Sequence, residues 1–216
     1  MATETAPEFK NSALRMNVVT KRFYDLLGVA GAIFGIGAYL YLLRSSGSIT
    51  YLLKIAFMFV VMLAFLARKS AKASDTRAAT VAVTSIHVVL PLFLTASGRT
   101  ENPFLPAIII AYAGLLVSAL SLIDLYDYFS IFPAFRGVQT KGLYSLVRHP
   151  IYAGYNIFNF AWLASFPCVR NAAIAAVFLT FTLLRIRREE ALLSKSSPDY
   201  TKYAAVVRYR LLPWVV

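Results

Sequence analysis

Six stretches of this chain run for sixteen to twenty residues with almost no charge, and they decide what it can fold into. They are Leu26 to Leu43, Tyr51 to Ala67, Ala78 to Ala96, Phe104 to Ile123, Ile151 to Phe166 and Asn171 to Ile186. A helix rises about 1.5 Å per residue, and a bilayer core is ~30 Å thick. The first four runs therefore read as spanning helices. The last two, at about 24 Å each, read as a tight hairpin turning at Pro167, Cys168, Val169 and Arg170. The first run begins too late and runs too long for a cleaved signal peptide, so it reads as an anchor. Counted with glycine in place of tyrosine, about 58% of the chain is apolar, against ~45–50% in soluble domains. Only 15% is charged. An ordinary cytosolic enzyme is excluded. The expected fold is an all-α, polytopic membrane helix bundle of six helices, a single domain over residues 1–216.

Loop charge sets the expected orientation. Lysine and arginine exceed aspartate and glutamate by 12. In so apolar a chain that excess points to anionic headgroups, with membrane lipids as partners, rather than to nucleic acid. The N-terminal tail, residues 1–22, carries Lys10, Arg15, Lys21 and Arg22. Arg68, Lys69, Lys72 and Arg77 follow the second run, Arg136, Lys141 and Arg148 the fourth, and seven more lie between Arg185 and Arg210. The opposite connections hold Arg44, Arg99 and Arg170. This asymmetry predicts both termini in the cytoplasm.

Intramembrane polar residues, the usual mark of a transport path, are few. Lys54 reads as a snorkelling side chain near the outer end of its helix. His87, one turn before Pro91, reads as a hydrogen-bonded packing histidine beside a kink. Gly31 and Gly35 have the small-residue spacing of a close helix contact. One cysteine, Cys168, and two histidines exclude a His/Cys metal cluster. Nothing in the sequence speaks to an oligomeric state.

The chemistry-bearing segments are Asp124 to Tyr155 and the C-terminal tail. The first is too long and too aromatic for a mere connector. Pro150 suits the first turn of a helix, which puts Arg148 and His149 at a helix start, where free N–H groups favour a carboxylate. Tyr152 and Tyr155 follow on roughly one face; the alternative is an interfacial belt of Arg, His and Tyr. Glu189 and Glu190 are adjacent in a chain with ten acidic residues. One of them would pair with Arg185 four residues earlier, leaving the other free for a cation; the alternative is a solvated helix end. The last segment, with Tyr200, Tyr203, Arg208, Tyr209, Arg210 and Trp214, reads as lying against the bilayer.

Arg148-His149-Pro150, Tyr152 and Gly154, then Glu189-Glu190, Tyr200, Tyr203 and Pro213, resemble the isoprenylcysteine carboxyl methyltransferase and phospholipid methyltransferase superfamily. Pro133, Arg136, Thr140, Gly142 and Tyr144 also resemble its bacterial members, which sets the expectation of a bacterial inner membrane. The resemblance covers residues 120–216, the implied catalytic core. Ser197-Pro198 stands where the family commonly has Phe-Gly. The resemblance implies an integral membrane methyltransferase that uses S-adenosylmethionine, without a metal, on a lipophilic methyl acceptor. Glu189 or Glu190 would take the cofactor's ammonium, and His149, Tyr152 and the helix start its carboxylate. Main-chain groups of Leu146, Val147 and Arg148 would take adenine, with Gln139 and Tyr144 as further contacts. Arg188, Glu190 and Tyr155 would stand at the reacting end, with Phe158, Phe160, Trp162, Phe178 and Phe181 walling a lateral acceptor entrance. Two rivals are a membrane sterol or enone reductase using NADPH, and a non-catalytic scaffold or transporter.

Overall fold

A computed structural model describes residues 18–46, 50–75, 77–94 and 104–213. The Lys10 and Arg15 tail, the Arg99 connection and Trp214 lie outside them. The described chain forms α1 (Val18–Ser46), α2 (Thr50–Ala67), α3 (Ala78–Val89), α4 (Leu105–Leu125), α5 (Pro150–Ser165), α6 (Val169–Ser196) and α7 (Pro198–Val206). Among the described residues, three stretches are long and apolar enough to cross a membrane: Asp25–Ser45, Leu105–Tyr128 and Val169–Ser196. The third sequence run falls short of a continuous span. Its helix stops at Val89 and tightens into a 3-10 turn, Leu90–Phe93, because Pro91 cannot donate to the α-helical ladder. Arg170, expected in a turn, lies inside α6; only residues 166–168 join α5 to α6.

The distribution of side chains is the reverse of a soluble protein's. Phe34, Leu26, Leu66, Leu105 and Ile109 are at least 60% exposed, whereas Thr84, Ser118, Ser121, Asn159, Asn171 and Thr182 are fully buried. An apolar exterior over a small-residue and polar interior is what helix packing in lipid selects.

α4 and α5 form the closest seam. A Cβ on Gly114 would stand 2.7 Å from the Gly154 carbonyl oxygen, and one on Gly154 would run into Ser118 and the Gly114 carbonyl. Ser118 Oγ donates across the seam to the Ile151 carbonyl at 3.1 Å. Gly154 thus has a packing reason to be glycine. On α1, Gly28 and Gly35 are the glycines set against α2, beside Phe65 and Met58, while Gly31 meets nothing. The expected Gly31–Gly35 contact face is therefore not the one used. α1 packs on α2 and α3 on α6, with α4 between α2 and α5.

The loop between α4 and α5 is ordered by short devices. Ala134–Phe135 pairs antiparallel with Ala73–Ser74, a two-rung ribbon that the all-α expectation did not include. Asp124 near the end of α4 accepts the Leu143 N–H at 2.8 Å, and Gly142 turns there at φ +62°, with no room for a Cβ beside that carboxylate. Gln139 Nε2 donates to the Asp124 carbonyl. The loop is thereby tied to the helix before it and delivers Arg148 to the start of α5.

Lys54 does not reach away from the bundle. Its ammonium lies 4.4 Å from the Trp162 ring centroid, 5.4 Å from Tyr51, 5.6 Å from Tyr39 and 5.8 Å from Phe158. Four ring faces hold the cation where no carboxylate does.

Candidate functional site

His149 is the residue before the first turn of α5, and Pro150 occupies that turn, as the sequence predicts. The N–H groups of the two residues that precede the helix are taken by the returning tail. Arg148 N–H donates to the Tyr209 carbonyl and His149 N–H to the Arg210 carbonyl, each at 2.9 Å. The C-terminal segment therefore folds back over the helix start. Tyr200, Tyr203 and Val207 are buried in this fold-back, with Val138 and Leu193 against them. Ser197-Pro198 fixes the path: Ser197 Oγ accepts the Asp199 N–H and Pro198 opens α7.

Glu190 is the knot. Its Oε1 accepts from Arg148 Nε at 2.8 Å and lies 3.2 Å from His149 Nε2, and its Oε2 accepts from Arg210 Nε at 3.1 Å. Arg148 spends its Nη1 on the Ala204 and Val207 carbonyls, both at 3.2 Å. One carboxylate thus binds the start of α5, the end of α6 and the returning tail. Glu189 differs. It takes one hydrogen bond, from Tyr152 OH at 2.8 Å, and no ion pair among the described residues. The expected Arg185–Glu189 pair does not form.

Arg185 turns the other way, into the bundle. Its Nη1 meets His87 Nδ1 at 2.9 Å, its Nη2 donates to the Ile131 carbonyl, and its guanidinium carbon lies 5.1 Å from the Tyr152 ring centroid. Because the guanidinium only donates, His87 Nδ1 must accept. His87 Nε2 therefore carries the proton and gives it to Thr182 Oγ1 at 2.8 Å, while the ring stacks on Phe178 at 4.2 Å. The packing role expected of His87 is the one it has. Arg188, expected beside the acceptor, instead donates to Thr80 Oγ1 at 2.7 Å at the start of α3, and Thr80 donates to Asp75. The Arg77 guanidinium hydrogen-bonded to Asp75 holds that carboxyl down at about 2. Sequence reasoning missed Arg185 as the inward cation; its lone position inside an apolar run was the available signal.

Three buried polar atoms around these residues have no partner: Tyr200 OH, Asn156 Oδ1 and Arg185 Nε. Burial, and then the charges of Glu190 and Glu189, push the Tyr200 phenol up, so it remains a hydroxyl. Burial and the Glu189 charge do the same to Tyr144, whose carbonyl accepts from Tyr203 OH at 2.6 Å.

The remaining expected contacts scatter. Leu146 and Val147 N–H groups donate to the Leu143 carbonyl at 3.2 and 3.3 Å. Gln139 serves the loop tie described above. Tyr155 stands one turn deeper on α5, edge-on to Phe57 at 5.6 Å. Phe158 and Trp162 stack on each other at 5.6 Å and over Lys54, so they face α2 instead of walling a lateral entrance. Phe178 is buried against His87. Among the described residues no group of three or more His, Cys, Asp or Glu is placed to hold a metal. Neither a protein-family model nor a curated protein matches the chain.

Proposed function

We propose that this chain is an integral membrane methyltransferase that uses S-adenosylmethionine and acts on a lipid-like acceptor. The observation that carries the reading is Glu189. Its carboxylate is held by a single Tyr152 hydroxyl, beside the unpartnered Tyr200 OH and next to the cations gathered on Glu190. A zwitterionic amino-acid tail needs that pairing of a carboxylate with nearby cations. The resemblance of the Arg148-His149-Pro150 and Glu189-Glu190 motifs supports the same reading. Glu189 would bind the ammonium, and Arg148, His149 and Arg210 would face the carboxylate. The carbonyl side of Leu146 and Val147 would take adenine.

Bound S-adenosylmethionine supplies an already activated methyl group. The work left to the protein is to align the acceptor and exclude water. Tyr155, Asn156 and Arg185 are placed for this, one turn deeper than Glu189 on the inward side of α5 and α6. They would hold the acceptor's polar head, while the apolar exterior of the bundle admits its chain from the bilayer. A thermal-shift series in detergent separates the rivals. S-adenosylmethionine and S-adenosylhomocysteine are expected to raise the unfolding midpoint and NADPH to leave it unchanged; a rise with NADPH alone would sink this reading in favour of a reductase.

We further propose six passes with both termini cytoplasmic, on the strength of the loop-charge asymmetry. This places the Glu189 site at the cytoplasmic face, where a charged cofactor is available. With Cys168 replaced, single cysteines at positions 46 and 194 are expected to label from opposite sides of sealed vesicles. Labelling of both from one side overturns the topology.

A further inference from the structure

Two arginines are buried where α1, α2 and the 126–136 loop meet, and Asp25 is the carboxylate that answers them. Arg68, just past the end of α2, is 8% exposed and pairs with Asp25 on α1 through Nε and Nη2. Arg136, 3% exposed, reaches in from the loop. Its Nε donates to the Lys69 carbonyl at 2.7 Å, but its Nη1 is buried without a hydrogen-bond partner. Burial, and then the nearby Arg68 charge, draw Arg136 down to about 10, which still leaves it cationic at neutral pH.

The surroundings add charge of the same sign. Lys69 is neutralised by Asp127 at 2.5 Å. Lys72 has no carboxylate partner among the described residues, and its backbone N–H donates to the carbonyl of Phe135, the residue before Arg136, at 2.7 Å. Its ammonium lies 5.8 Å from the Phe135 ring. A buried guanidinium nitrogen without an acceptor is costly, and the neighbouring Arg68 charge adds to that cost. An anion that supplied the acceptor would offset both.

We propose that this corner is an oxyanion site in which Arg136, Arg68 and Lys72 take the phosphate of a phosphomonoester or phosphodiester. Guanidinium groups match phosphate oxygens in pairs, and the exposed Lys72 supplies the entry. The phosphate would come from a lipid headgroup or from solution. The lipid source rests on the membrane placement proposed above; the soluble source does not. None of these residues belongs to the Glu189 site, so the two proposals can fail separately.

The test uses the full chain in a maltoside detergent, which carries no phosphate, without cofactor, read by its unfolding midpoint. Wild type is expected to gain several degrees on adding phosphatidylglycerol, or on adding inorganic phosphate in place of chloride at matched ionic strength. A gain only with the charged lipid assigns the headgroup, and a gain with inorganic phosphate assigns the soluble anion. Arg136→Gln should abolish the gain. Because that buried variant can fail to fold, Lys72→Gln is the second arm, expected to lose at least half of it. Lys202→Gln, on α7, should keep it all. No gain in wild type, a full gain in Lys72→Gln, or an equal loss in Lys202→Gln overturns the site.

Discussion

Replacing Glu190 with glutamine is expected to destabilise the protein by about 3 kcal/mol, at the lower end of the range for removing one partner of a buried ion pair. Two of its three partners, Arg148 and His149, have side chains under 10% exposed; Arg148 would lose its counter-charge and His149 its carboxylate contact. Arg210, at 39%, would contribute little of the loss, because exposed pairs are weak. The tail it holds should loosen at the same time. A lowered unfolding midpoint in mild detergent, together with new protease cleavage after residue 206, is the expected record. A midpoint within about 0.5 kcal/mol of wild type would mean that Glu190 does not hold the fold-back.

Glu189→Gln should do the reverse. The substitution removes a charge but keeps an acceptor for Tyr152 OH, and no ion pair is broken among the described residues. Stability should change little. The affinity for S-adenosylmethionine should fall ten- to hundredfold, since losing one charge-assisted hydrogen bond costs about 1.5–3 kcal/mol and each ~1.4 kcal/mol is tenfold. Titration calorimetry on the detergent-solubilised protein measures it. Unchanged affinity with Glu189→Gln would remove the ammonium site from the proposed function. The adjacent glutamates are thus expected to separate cleanly, one structural and one ligand-binding.

That division was not legible in the sequence. Two neighbouring glutamates look equivalent until the chain shows which one faces Arg148 and Arg210, and those lie 42 residues before and 20 residues after Glu190. Local signals did better. Pro150 at the start of α5, the run of α6 beyond its apolar stretch and the inward packing of His87 all follow from spacing and composition within a few turns. Failures came where distant segments compete for a group. The N–H groups of Arg148 and His149, just before α5, are claimed by the Tyr209 and Arg210 carbonyls, and Arg188 was drawn off by Thr80 on α3. Lys54 was read from its helix alone, whereas three of its four ring partners come from α1 and α5. Pro91 was visible, but not that it would end the α-helix outright.

The glycine seam between α4 and α5 has a mechanical consequence. Where backbone meets backbone at Gly114 and Gly154, with Ser118 and Ile157 packed against the contact, little room is left for a sliding or tilting movement. The two helices must travel as one stiff strut, and Asp124 fastens the 139–143 turn to the same strut. Everything from Gln139 through Tyr155 is then a fixed jaw. Anything that entered beside Glu189 would have to displace α6 or the returning tail from that jaw, breaking the Glu190–Arg148 bond and the Arg148 and His149 N–H bonds to Tyr209 and Arg210.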